Sequence, residues 1–352
     1  MRDHRGGPAP RSTARNASRD VNRYEVERDA DVVPAVALFP LVEWTAVRVT
    51  GADRASFLHN MCTNDVRSLQ PGQGCEAFFT DAKGKIIGHV FALAAEDAIT
   101  LLTVPGQADT LIRHLDRYII REDAQLADAT GQLGWWMLFG RRAAGVLEAC
   151  GAAPADLRNP WDHTTARMAD SDVHIVRCEL LWPRGFLIAC AAEARERLGA
   201  ELRRAGAASC TAEAWHAIRI ESAWPLFGVD FDATHLPQEV GRDDQAIHFR
   251  KGCYLGQETI ARIDALGHVN KRLCLVKAAQ VDALPMGAEL SANGQPAGRI
   301  TSSCWSPALQ ASLALAMVRR GFSDIGAELQ CGQIEAEIVA PCTANAEGAA
   351  RP

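Results

Sequence analysis

From residue 41 onward, hydrophobic and polar positions fall into short blocks with distinct periods. TAVRVTG alternates like a half-buried strand and stops at Gly51. ADRASFLHNM then places Phe57, Leu58 and Met61 on one helical face, with Asp53 where an N-cap belongs. GCEAFFTDAKGKIIGHVFALAAEDAITLLTV predicts three strands joined by turns at 81–84 and 94–97, closed by Pro105 and Gly106. In ADTLIRHLDRYII, the residues Leu111, Ile112, Leu115, Tyr118 and Ile119 recur at helical spacing.

A second round follows Gly131. LGWWMLFG reads as a strand, RRAAGVLEAC as a helix and DVHIVRCELLWPRGFLIAC as a hairpin. Two helices follow, EARERLGAELRRAG and TAEAWHAIRIES. Beyond residue 270 the helical period nearly vanishes. Four stretches there, beginning with NKRLCLVKA, are short strands punctuated by Gly, Asn and Pro. Hairpins, not strict strand–helix–strand crossovers, dominate the first part. The fold class is therefore α+β, with two lobes followed by a small all-β barrel or sandwich.

Length and composition narrow the function classes. At 352 residues, the chain exceeds one typical core, and 48% hydrophobic with 23% charged residues is the balance of a globular protein. No apolar run reaches the roughly 20 residues of a membrane helix. The net charge of −6 argues against general attraction to nucleic acid, so no direct nucleic-acid partner is expected. Residues 1–30 are expected to be a disordered tail, because the first 20 are nearly devoid of apolar side chains. An α+β region is expected over 31–268, a β-domain over 269–342 and a loose tail over 343–352. The eleven cysteines form no C-x-x-C and no zinc-finger spacing. A disulfide framework and a metal site are not expected, most cysteines read as small buried hydrophobes, and a reducing cytoplasm fits. The Arg/Ser-rich N-terminus leaves an organelle address as the alternative.

The chemistry concentrates in FRKGCYLGQE, residues 249–258. Cys253 follows Arg250 and Lys251, which would favour its thiolate, and a helix starting near Leu255 would do the same. Gly252 and Gly256 allow tight turns on either side, and Tyr254 offers a hydroxyl. Glu258 and Arg262 stand four apart for a side-chain pair if ETIARIDA is helical. Cys253 is thus a reactive thiol or a small residue that suits a turn. Its histidine neighbours His248 and His268 have no ligand spacing. Asn64 and Asp65 suit a turn after the first helix, and Asp232 suits turn-building. Trp135, Trp136 and Trp224 read as core.

Four stretches in order resemble one superfamily. They are VTGADRASFLHNMCTNDVRSLQPGQGCEAFFTDAKGKI, AIRIESAWPLFGVDFDATHLPQEVG, FRKGCYLGQETIAR and PAGRITSSCWSPALQASLALAMVRR. Together they resemble the glycine-cleavage T-protein (aminomethyltransferase) superfamily over roughly residues 40–340. K-G-C-Y-x-G-Q-E resembles its YgfZ branch of folate-binding proteins. The resemblance implies a cloverleaf of two interleaved α+β lobes and a C-terminal barrel around a central hole. That hole would take tetrahydrofolate or a one-carbon derivative. It further implies a folate-dependent helper in making or repairing [4Fe–4S] enzymes, which would be transient partners along with cluster-assembly proteins. The family's association with tRNA modification would then be indirect. Alternatives are a one-carbon transferase acting on an amine, and a non-catalytic folate-sensing adaptor. By resemblance, Arg219 of RIES would face the folate, and Lys251, Gln257 and Glu258 would sit with Cys253 in the motif loop; Asn64 and Asp230 are further folate-binding candidates, although Asp230 could instead bind a cation or cap a turn. T-proteins carry an acidic pair where this chain has Gly88 and His89, and a pterin-binding Glu near Leu187. Glycine-cleavage activity is therefore not expected.

Overall fold

The structure, a computed structural model, describes residues 35–181, 185–280 and 282–341. The tails expected at 1–30 and 343–352 lie outside these residues. In chain order the strands are β1 (Ala37–Leu41), β2 (Thr45–Thr50), β3 (Gly74–Thr80), β4 (Ile86–Ala94), β5 (Ala98–Thr103) and β6 (Gln125–Asp128). Then come β7 (Leu133–Phe139), β8 (His163–Met168), β9 (Ser171–Cys178), β10 (Gly185–Ala191) and the two-residue β11 (Ala208–Ser209). The last six are β12 (Lys271–Ala278), β13 (Glu289–Ala292), β14 (Gln295–Ser306), β15 (Ala311–Arg319), β16 (Glu328–Cys331) and β17 (Ile334–Pro341).

They build one five-stranded sheet, β3-β4-β5-β2-β6, one six-stranded sheet, β11-β1-β7-β10-β9-β8, and a closed barrel, β12-β15-β14-β13-β16-β17. All pairings are antiparallel except β1 with β11, the arrangement that hairpin connections dictate. The α+β reading with a C-terminal barrel holds. Period-two patterning explains the packing. In β7, Trp136 and Leu138 face helices Ala143–Ala149 and Arg195–Arg204, while Trp135, Met137 and Phe139 face the other way. The second set joins Phe91 and Leu102 of the five-stranded sheet, so an apolar layer lies between the sheets. Trp224 belongs to the same layer at 1% exposure, and Trp136 is buried on the helix side, so all three tryptophans expected in the core are buried. Helices Arg54–Met61 and Ala108–Asp116 cover the outer face of the five-stranded sheet.

Two local expectations change. Asp53 does precede the first helix, but its carboxylate accepts from the Asp123 backbone N–H at 2.9 Å and caps no helical N–H. The segment ADTLIRHLDRYII is helical only over Ala108–Asp116, since its last residues turn outward and leave Ile120 exposed. Among the described residues, no helix is long and apolar enough to cross a membrane.

Candidate functional site

The motif loop docks on the first lobe through its lysine. Lys251 is buried, and its ammonium donates to the carbonyls of His59, Cys62 (2.8 Å) and Asn64 (2.7 Å). The carbonyls of His59 and Cys62 belong to the last turn and cap of helix Arg54–Met61, where a cation also meets the negative end of the helix dipole, and that of Asn64 lies in the turn just beyond, where it also accepts from the Val66 N–H. Burial pulls the Lys251 pKa down, and nearby Cys62 and Asp65 partly restore it. The Tyr254 ring lies 5.0 Å from the same ammonium, and burial pushes its hydroxyl pKa up. Thr80 Oγ1 donates to Leu255 O at 2.6 Å, and the Leu255 N–H donates to Asn60 O at 3.0 Å. Lys251 therefore anchors the loop. It does not stand beside the Cys253 thiol, as the sequence order had indicated.

Only one of the two motif glycines is forced by geometry. Gly256 has φ +84°, and a Cβ there would lie 2.5 Å from the Asp81 carbonyl oxygen. Gly252 has open space around its Cα. Helix Gln257–Leu266 starts directly after Gly256, two residues later than expected. Glu258 and Arg262 are both exposed and make no ion pair among the described residues, so the expected i,i+4 contact is absent. The Gln257 N–H donates to Tyr254 O at 3.2 Å.

With its neighbours tied down, Cys253 stands in solvent. Among the described cysteines it alone is exposed. Burial pushes the thiols of Cys178, Cys274 and Cys304 up to about 12, and that of Cys210 to about 11. These behave as the small core residues the composition implied.

Arg219 and Asp230 are brought together, but facing each other. The guanidinium is fully buried and donates to Asp230 Oδ2 at 2.8 Å, Ser302 Oγ at 2.6 Å and Trp224 O at 3.2 Å. Asp230 Oδ1 also accepts from Thr301 and Ser302 on β14. This network is a joint between the helix Ala212–Glu221 and the barrel. Asn64 is likewise occupied: its amide donates to Glu76 O at 2.8 Å and Gln245 O at 2.9 Å, and its Oδ1 accepts from the Asp65 N–H. Asp232 builds the turn expected of it, accepting from Thr234 and His235.

The acidic-pair positions acquire a physical explanation. Gly88 points at helix Ala108–Asp116, and a Cβ there would lie 2.7 Å from Leu111 Cδ2. His89 points the other way, stacked on Phe78 with centroids 4.8 Å apart. Its Nε2 lies 2.7 Å from Glu76 Oε1. Glu76 is also held by the Arg242 guanidinium through both carboxylate oxygens, Nη2 to Oε2 at 2.6 Å. Burial would raise the Glu76 pKa, but Arg242 and His89 more than offset it and hold it at about 2. Leu187, at the place of the pterin-binding Glu, is fully buried in the apolar layer between the sheets.

Glu76 and Arg242 form the floor of a cavity of about 290 Å³. Cys75, Trp161, Glu179, Asp244 and Gln245 complete much of its wall. Gln245 Oε1 is buried and has no hydrogen-bond partner among the described residues. Glu179 pairs with Arg177 at 3.0 Å. Sequence reading missed this site, although one signal existed. Glu76 occupies the same strand face as Phe78, and a charge on a strand's buried face signals a partner.

A model of the GCVT N-terminal domain matches residues 15–251, and one of the glycine cleavage T-protein C-terminal barrel domain matches 271–343. The chain is 25% identical over 299 residues to a putative chloroplastic transferase of Arabidopsis thaliana, covering 85% of this chain and 68% of the relative. It is 29% identical over 263 residues to a protein named tRNA-modifying protein YgfZ from Edwardsiella ictaluri, covering 72% and 74%. The crystal structure of the glycine cleavage system aminomethyltransferase T from Bartonella henselae superposes with TM-score 0.77 at 18% identity, covering 90% of this chain and 88% of that one. By its two matched domains, its barrel and its K-G-C-Y-L-G-Q-E loop, the chain belongs to the glycine-cleavage T-protein family and is a YgfZ-type member of it.

Proposed function

We propose that this chain binds tetrahydrofolate or a one-carbon derivative in the cavity above Glu76, and that with Cys253 it assists the making or repair of [4Fe–4S] enzymes. The observation that carries the reading is Gln245 Oε1, a buried acceptor without a partner among the described residues, in the wall of this cavity. Such an atom is costly unless a ligand supplies a donor. A reduced pterin presents N–H donors along one edge, and Glu179 adds a carboxylate acceptor to the same wall. Trp161 offers a flat apolar wall, and Arg242, fixed by Glu76, sets the shape of the floor. When bound, tetrahydrofolate supplies a carrier for a one-carbon unit.

Aminomethyl transfer is the weaker reading. A side chain at position 88 would require Leu111 to shift, since a Cβ there would lie 2.7 Å from its Cδ2, and Glu76 is neutralised by Arg242. A link to tRNA, present in the names of several relatives, would be indirect through iron–sulfur enzymes that modify tRNA. We place the activity in the cytoplasm, and the chloroplastic relative supports an organelle as the alternative. Deleting the gene and assaying iron–sulfur enzymes tests the proposal. Their activities should fall, recover with the wild-type copy and recover poorly with Cys253→Ser. Unchanged activities in the deletion strain would remove the iron–sulfur role.

A further inference from the structure

A row of cations runs across three adjacent barrel strands. Lys271 on β12 and Arg319 on β15 are direct cross-strand partners. Arg299 on β14 pairs with Met317, two residues before Arg319, so all three side chains share one face. Like charges directly opposite on neighbouring strands are destabilising. Neither Lys271 nor Arg319 makes an ion pair or side-chain hydrogen bond among the described residues. Arg299 donates to the Gly287 carbonyl at 3.0 Å.

The row floors a groove of about 680 Å³ between the barrel and the loop that carries Val229. The carboxylates nearby are largely committed. Asp230 is consumed by Arg219, Thr301 and Ser302, and Asp232 by Thr234 and His235. Glu289 lies opposite Arg299 and remains the acidic member of the wall. Val229 and Met286 line the same groove at 50% and 64% exposure, two of the larger apolar side chains left in solvent. In a chain of net charge −6, unpaired cations beside exposed apolar surface form a complementary face for an anion with apolar groups.

We propose that this groove is a docking site for an acidic segment of a partner protein carrying apolar side chains, with its carboxylates on Lys271 and Arg319 and its apolar groups on Val229 and Met286. Nucleic acid fits less well, since it would bring phosphates against Glu289 and the exposed Asp232 without using the apolar pair.

The probe is a fluorescein-labelled peptide, Glu-Leu-Glu-Asp-Phe-Glu-Asp-Leu-Glu-Glu, titrated with the full chain and followed by anisotropy. Binding should weaken about tenfold or more in Lys271→Glu/Arg319→Glu and stay within about threefold in Lys271→Arg/Arg319→Lys. It should weaken as salt rises from 0.05 to 0.5 M, where screening shortens from about 14 Å to about 4 Å. Val229→Ser/Met286→Ser should also weaken it. A second readout separates docking from misfolding: Lys271→Glu alone should raise the melting temperature, because it replaces a like-charge pair by an opposite one. The proposal is overturned if the peptide does not bind, if its Gln-for-Glu counterpart binds equally, if the charge-reversed variant binds as the wild type does, or if a single-stranded RNA oligonucleotide binds more tightly at the same cations.

Discussion

Replacing Arg242 by Met should change both the size and the pH dependence of stability. In the wild type, Glu76 is buried and its carboxyl is lowered from 4.5 to about 2, with Arg242 the main cause after burial is offset. A carboxyl lowered in this way contributes stability that is complete above pH 4.5 and is lost as the pH falls toward 2. At about 1.4 kcal/mol per pH unit, this contribution is about 3 kcal/mol. Arg242→Met leaves that carboxylate in an apolar setting with His89 as its remaining partner, at an expected cost of about 3–5 kcal/mol at pH 7. The Glu76 pKa then rises above its ordinary value, so stability should increase as the variant is acidified from pH 7 to 5. Wild-type stability should stay flat over that range as far as Glu76 is concerned. Adding Glu76→Gln should recover about 2 kcal/mol of the loss, because the stranded charge is gone. Urea unfolding followed by tryptophan fluorescence at pH 7 and pH 5 measures all three variants. Arg242→Met within about 1 kcal/mol of wild type, with the same slope against pH, would show that Arg242 does not hold the Glu76 charge.

Three further outcomes follow from the geometry. Lys251→Met should lower stability by about 2–4 kcal/mol, since three carbonyls lose an ammonium donor, and should increase proteolysis of the 249–256 loop. Gly256→Ala should cost about 2–4 kcal/mol in urea unfolding, because φ is +84° and the new Cβ would meet the Asp81 carbonyl, whereas Gly252→Ala should cost less than about 1 kcal/mol. Cys253→Ser should leave the melting temperature within about 2 °C, since the side chain is exposed, and should remove most of the fast alkylation by a maleimide in the native protein. Alkylation that proceeds equally fast in the serine variant would show that another thiol is the accessible one.

The architecture was legible because strand periodicity is a local property. β2, β3, β4, β5, β7 and β10 all fall within blocks of alternating or continuous apolar residues bounded by turn residues. The short strands β6 and β11 lack such blocks. They exist because neighbouring strands offer them an edge. The motif loop was legible as a motif, but the role of Lys251 was not. Its acceptors lie almost 190 residues upstream, and nothing local indicates whether a lysine turns inward. The same distance problem hid the Glu76–Arg242 pair, whose members are 166 residues apart. Arg219 was singled out through resemblance and Asp230 as a candidate within FGVDFD. Their mutual ion pair depends on β14 being brought beside helix Ala212–Glu221. Gly88 shows the reverse case: the absent carboxylate was visible in the sequence, and the structure adds that Leu111 fills the space beside it.

The most direct test of the central claim is calorimetric titration of the full chain with tetrahydrofolate, repeated on Gln245→Leu. One site per chain is expected, with binding weakened by about 1–3 kcal/mol in the variant, because the leucine removes the buried acceptor that the ligand satisfies. No heat and no thermal shift at saturating ligand, or equal affinity in wild type and variant, would contradict it.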